Sequence, residues 1–231
     1  MKIKYKNILK YKKIINKCIE YIFPPTCGIC GKINKEYLCS KCKLVLDKQF
    51  KIMIEEIETD NGISKLIYGF KYDEVIRDNL INYKFNEKTN LYKTFVKFYI
   101  KNKKIFKILK SYDTIIPVPI SKKRRKTRGY NQTELFSKYL ASKLESQYRD
   151  DILIKVKDNK EQSTLTKEER ITNIKGVYSL SKKYEKTLKT KKILLIDDIY
   201  TTGSTTKECI LVLRKIYNKN IDIDVFVIAR D

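Results

Sequence analysis

The segment Ile193–Thr205, Ile-Leu-Leu-Ile-Asp-Asp-Ile-Tyr-Thr-Thr-Gly-Ser-Thr, constrains this chain more than any other. Ile193–Ile196 is a continuous apolar run of the kind that a strand buried on both faces requires. Asp197 and Asp198 are expected at its carboxyl end. Thr201, Thr202, Gly203, Ser204 and Thr205 then lead into a helix expected over Thr205–Tyr217. Gly203 has no Cβ, so a tight, left-handed backbone turn is open to it. Successive amides can then point at one phosphate, assisted by the positive end of the following helix. The hydroxyls of Thr201, Thr202, Ser204 and Thr205 add donors, and two adjacent carboxylates can accept hydrogen bonds from the 2- and 3-hydroxyls of a ribose. A bare Thr-Thr-Gly-Ser reads as a helix cap, but the whole string is harder to explain that way. No Gly-Lys-Ser or Gly-Lys-Thr follows, and one glycine makes no dinucleotide fingerprint.

The surrounding pattern places that segment in a mostly parallel sheet. From Asp113 onward strands alternate with helices: a strand at Thr114–Val118, a helix near Gln132–Leu144, a short strand at Ile152–Val156 and a last strand at Ile221–Ile228. Such alternation implies right-handed crossovers, with ligands lying beyond the carboxyl ends of the strands. The domain reading is a basic segment over 1–25, a four-cysteine unit over 26–45, a mostly helical connecting region over 46–110, and an α/β domain over 111–231. Within 46–110 the periodic stretches are Val75–Phe85 and Leu91–Leu109. The longest strictly apolar runs, Cys209–Leu213 and Val225–Ala229, are five residues each, far short of the roughly 20 that span a bilayer. Lys12, Lys13 and Lys17 interrupt any secretory signal, so the expectation is a cytoplasmic protein, peripheral at the inner face of the membrane only through partners.

Two compositional facts narrow the chemistry. The chain of 231 residues contains no histidine, which excludes His general bases, Ser-His-Asp triads and His metal ligands. Its formal net charge is +24, which favours a polyanionic partner such as single-stranded DNA; a lysine-rich composition throughout is the bland alternative. Cys27-x-x-Cys30 and Cys39-x-x-Cys42 form two knuckles suited to a structural tetrahedral Zn²⁺, with iron–sulfur ligation as the rival. Lys122, Lys123, Arg124, Arg125, Lys126 and Arg128 crowd a loop after the strand at Thr114–Val118, and Tyr130 offers a stacking face beyond them. Contact with pyrophosphate, contact with nucleic acid and plain solvation all remain open for that loop.

Residues 194–205 resemble the phosphoribosyl pyrophosphate (PRPP) signature of type I phosphoribosyltransferases. Further stretches resemble the ComF family: Thr114–Ile120 followed by Arg128-Gly129-Tyr130-Asn131-Gln132, Tyr72–Phe85 ending in Tyr83-Lys84-Phe85, the central-loop residues Gln162, Leu165, Arg170, Asn173 and Gly176, and the paired cysteines. Lys155 and Lys157 stand where that family often carries arginines. The resemblance implies a type I phosphoribosyltransferase-like parallel sheet flanked by helices, with PRPP held together with Mg²⁺. Asp197 and Asp198 would read its ribose, and Thr201–Thr205 its phosphate. It also implies a role in the uptake or processing of transforming single-stranded DNA, beside DNA-uptake helicase or processing proteins. The alternative is an active phosphoribosyltransferase, amidophosphoribosyltransferase-like, in nucleotide metabolism with no direct DNA role. Neither the acceptor nor any catalytic base is named by these residues.

Overall fold

A computed structural model describes residues 21–22, 24–59, 62–85, 90–158, 173–181, 190–216 and 221–231. Its elements are α1 (Ser40–Gln49), β1 (Met53–Thr59), β2 (Gly62–Tyr68), β3 (Phe70–Lys71), α2 (Glu74–Phe85), α3 (Leu91–Lys101), α4 (Lys103–Leu109), β4 (Thr114–Pro117), α5 (Lys122–Arg128), α6 (Gln132–Leu144), β5 (Gln147–Tyr148), β6 (Leu153–Lys155), β7 (Tyr178–Leu180), β8 (Lys192–Tyr200), α7 (Ser204–Arg214) and β9 (Asp222–Arg230). Seven strands form one sheet in the order β1-β2-β9-β8-β4-β5, with β3 also on β9. The pairs β2–β9, β9–β8, β8–β4 and β4–β5 are parallel, and only the β1–β2 hairpin is antiparallel. β6 and β7 make a separate antiparallel pair.

The strand period explains how β8 organises the core. Side chains alternate between the two faces of a strand. Leu194 and Ile196 join Tyr83, Phe95, Phe136, Leu140 and Phe226 on the face covered by α1–α4 and α6. Ile193 and Leu195 join Cys209, Val212, Leu213, Val177 and Tyr178 on the face covered by α7 and β6–β7. All four β8 residues are at most 1% exposed, and each such side chain contributes about 1.5–3 kcal/mol of burial. A parallel α/β sheet flanked by helices on both faces is thus in place, as expected.

Three local expectations are corrected. β8 does not stop at Ile196 but continues in register with β9 through Tyr200, opposite Arg230, so the aspartates lie inside the strand. The basic segment after β4 is not a loop: the Ser121 hydroxyl accepts from the Arg124 amide at 3.2 Å and starts a helix, which Gly129 ends at φ 78°. The region 46–110 carries strands beside its helices. β1, β2 and β3 extend the main sheet, and the stretch Leu91–Leu109 is two helices, because the Asn102 side chain accepts from the amides of Lys104 and Ile105 and starts a new one.

Candidate ligand cavity and four-cysteine centre

β4 makes its last pair with β8 at Pro117–Ile196, whereas β8 continues along β9. The strand edge left uncovered beyond Pro117 is where Asp197 and Asp198 sit, and a cavity of about 520 Å³ opens there. It is lined by both aspartates and by Thr201 and Thr205 of the following loop. Arg124 and Arg128 enter from α5, Lys155 from β6, and Arg77 and Lys84 from α2.

The loop takes the conformation that its glycine allows. Gly203 has φ 75°, and a Cβ there would lie 2.1 Å from the Tyr200 hydroxyl oxygen, so both backbone geometry and space require glycine. It precedes the eleven-residue helix α7, whose first turn faces the cavity side of β8 through Thr205. Thr202 and Ser204 exchange a hydrogen bond at 2.6 Å, and the Thr206 hydroxyl donates to the Gly203 carbonyl at 3.0 Å. Of the five loop residues singled out by sequence, Thr201 and Thr205 line the cavity, while Thr202, Gly203 and Ser204 shape the turn.

Three distant sequence segments meet at one carboxylate. Asp198 Oδ2 accepts from Lys84 Nζ at 2.9 Å and from Gln132 Nε2 at 3.0 Å. Gln132 is held in turn by Arg128, and its carbonyl accepts the Tyr83 hydroxyl at 2.7 Å. Neighbouring Asn131 and Thr133 both donate to the Val118 carbonyl, tying the start of α6 to the end of β4. The two acids differ electrostatically. Burial and the Asp198 charge push Asp197 up to about 7. Burial also opposes ionisation of Asp198, but Lys84, Gln132 and Arg128 outweigh it and hold its carboxyl below the usual range. Burial, with Arg124 close by, pulls Lys155 down to about 8.

Helix α5 sorts its own charges. Arg124 and Arg128, one turn apart, are half-buried and line the cavity, whereas Lys122, Lys123, Arg125 and Lys126 are exposed. Arg125 pairs with Glu134 of α6. Tyr130 is not the open stacking face that the sequence suggested: its hydroxyl donates to the Tyr83 carbonyl, and its ring packs against Tyr83 at 6.1 Å between centroids. Sequence reasoning gave no ligand role to Arg77, Lys84, Tyr72 or Tyr178, all of which line the cavity. The Tyr-Lys-Phe end of α2 was the available signal for Lys84. Gln162, Leu165 and Arg170 lie outside the described residues.

The cysteine unit is compact. The Sγ atoms of Cys27, Cys30, Cys39 and Cys42 all lie within 4.8 Å of one another, and those of Cys30 and Cys39 are 3.8 Å apart. A tetrahedron of zinc–sulfur bonds of ~2.3 Å has edges of about 3.8 Å, so the donor set fits a single ion such as zinc; a polynuclear cluster would hold the sulfurs further apart. Burial opposes ionisation of Cys27, but amide hydrogen bonds from Cys30, Cys39 and Ile29 outweigh it and bring the thiol down to about 7. Burial and the neighbouring thiols push Cys42 up, a crowding that a dication relieves. The unit packs directly on α3. The Gly28 amide donates to the Tyr37 carbonyl at 3.0 Å, and a Cβ on Gly28 would lie 2.4 Å from Thr94 Oγ1.

Among the described residues, no helix is long and apolar enough to cross a membrane. No protein-family model matches the chain. It is 27% identical over 204 residues to competence protein F of Haemophilus influenzae, covering 86% of this chain and 82% of that protein. It is 27% identical over 216 residues to competence protein ComFC of Streptococcus pneumoniae, covering 91% and 83%. Over 96 residues it is 30% identical to the DNA utilization protein YhgH of Escherichia coli O157:H7, covering 42% and 40%. Among solved structures it is similar to orotate phosphoribosyltransferase from Aeropyrum pernix, at a TM-score of 0.32 and 15% identity over 80% of this chain and 78% of that one. The two long matches make this chain similar, along most of its length, to competence protein F and competence protein ComFC.

Proposed function

We propose that the cavity binds PRPP with Mg²⁺ and that the chain acts in the uptake or processing of transforming single-stranded DNA. The observation that carries the ligand reading is the gathering, in about 520 Å³, of an acidic pair, a threonine-glycine loop ahead of a helix, and five cationic side chains. Thr201 and Thr205, with the amides at the start of α7, suit the 5-phosphate. The aspartates suit the ribose hydroxyls, and Arg124, Arg128 and Lys155 suit the pyrophosphate. Mg²⁺, bound with the ligand, would offset phosphate charge. Lys122, Lys123 and Lys126 project from the outer side of α5, and this exposed row suits a nucleic-acid backbone. The DNA reading is supported by the names of the homologous competence and DNA utilization proteins.

A transferase in nucleotide metabolism is the second reading. Beyond the sugar-side acids the cavity extends to Tyr72, Arg77 and Ile81, room that an acceptor could use. In that reading the cations stabilise the charge that develops on the leaving pyrophosphate. A pyrophosphate-release assay over a panel of amines and nucleobases separates the two: no release beside measurable PRPP binding favours the binding protein, and sustained release with one acceptor favours the enzyme.

A further inference from the structure

We infer that Gln49 and Asp73 are positioning residues that couple the four-cysteine centre to the ligand cavity, so that an ion held by the cysteines tightens ligand binding and the ligand tightens the ion. The inference rests on the PRPP reading of the cavity and adds a regulation to it. The connection begins at the cysteines. Cys39 caps α1, its sulfur accepting the Cys42 amide at 3.5 Å, and Cys42 lies in the first turn of that helix. Two of the four donors therefore fix where α1 starts and which way it runs. Leu46, fully buried one turn further on, belongs to the same core cluster as Cys27 and Cys42.

The other end of α1 reaches the helix that walls the cavity. Gln49, the last residue of α1, donates from Nε2 to Asp73 Oδ2 at 3.0 Å. The second oxygen of that carboxylate, Oδ1, accepts the Ile76 amide at 3.2 Å and caps α2. The Asp73 carbonyl accepts the Arg77 amide at 2.7 Å. One residue thus holds the end of one helix and the start of the next. Arg77, Ile81 and Lys84, spaced four and three residues apart on α2, all line the cavity, so a shift of α2 at Asp73 moves two of its cations. The joint is packed as well as bonded. Phe50, next to Gln49, meets Phe98 and Tyr99 edge to face, and a Cβ on Gly69 would lie 2.3 Å from its ring. Gln49 Oε1 is buried with no hydrogen-bond partner, a cost that a leucine there would avoid. The amide is accounted for by the one bond it makes, to Asp73.

The test measures the PRPP affinity, with Mg²⁺, of the zinc-loaded and the stripped chain, and the zinc affinity, by competition with a chromophoric chelator, with and without PRPP. Linkage makes the two ratios equal, and each is expected at about tenfold. Gln49→Leu removes the donor, and Asp73→Ser keeps a capping oxygen for α2 but leaves none for Gln49. Both variants should bring the ratio to within about twofold, while each ligand alone binds nearly as before. A loss of stability alone would lower the Tm and leave the ratio where it was, and that result overturns the inference. A wild-type ratio of one, or a chain that holds no zinc, also overturns it. If the wild-type chain binds no PRPP, loaded or stripped, the ligand reading fails, and hydrogen exchange decides the coupling. Stripping zinc should then speed exchange of the Ile76 and Arg77 amides beyond any change in α7, and loaded Gln49→Leu should show the same faster exchange. Equal changes in α2 and α7, or α2 amides still protected in the variant, overturn the coupling.

Discussion

Asp197 carries the clearest consequence at the scale of single residues. Its carboxyl is raised in the folded chain, so between about pH 4 and pH 7 the native state holds a proton that the unfolded state has released. Stability from this group therefore falls as pH rises through that window. Replacing it by Asn removes the cost of ionisation, so Asp197→Asn should be more stable than wild type at pH 8, by on the order of 1–2 kcal/mol after solvent screening, with the gap closing toward pH 4. Urea unfolding at the two pH values checks this, and an equal gap at both would contradict it. Asp198 runs the other way: its lowered carboxyl stabilises the fold above pH 4 and loses that contribution in acid. Gly203 was readable in the sequence as a left-handed turn, because only glycine takes φ 75° without strain. The different surroundings of the two acids were not readable, since Lys84 and Gln132 are brought to Asp198 from 114 and 66 residues away by the fold.

Elements were legible where local chemistry decides them. α6 runs over Gln132–Leu144 as its apolar spacing predicts, and Asn131 caps it. β9 and α7 depart from expectation only at their ends. The limit at β8 is instructive: Asp-Asp-Ile-Tyr ends the apolar run, but pairing with β9 continues because Val227, Ile228 and Ala229 still offer a buried partner strand. β1 and β2 were missed because Glu55, Glu56, Glu58 and Lys65 interrupt the apolar alternation, as an edge hairpin tolerates. The basic segment was misjudged for a comparable reason. Six charges in seven residues look like a solvated loop, yet a serine cap and a glycine stop make a helix that divides them between cavity and solvent. That division predicts separable phenotypes. Neutralising Lys122, Lys123 and Lys126 together should weaken single-stranded DNA binding and reduce its salt slope by roughly 2, at about 0.7 for each phosphate no longer neutralised, while PRPP affinity is unchanged. Arg124→Gln with Arg128→Gln should do the reverse. Filter binding across a salt series, beside PRPP titration, reads both, and a single set that abolishes both would contradict the division.

At the scale of the molecule, one core joins the cysteine unit to the ligand side. Cys27, Leu38, Cys42 and Leu46 pack in the same cluster as Phe95, Phe136 and Leu194, so the centre braces the layer of helices that carries Lys84. Stripping an ion held by the four cysteines should therefore destabilise the whole chain, by about 3 kcal/mol or more and roughly 10 °C in Tm, rather than release a separate module. Calorimetry with and without chelator should show one transition moving; an unmoved main transition would contradict the shared core. The +24 charge was legible from composition, but its meaning was not, because only the fold separates the cations of the cavity from those of the surface. The most direct test of the account is isothermal titration of the chain with PRPP and Mg²⁺. The account predicts one ligand per chain, competed by ribose 5-phosphate together with pyrophosphate, and lost when Thr201 and Thr205 are both changed to Val. Absence of binding, or binding that survives the double substitution unchanged, would contradict it.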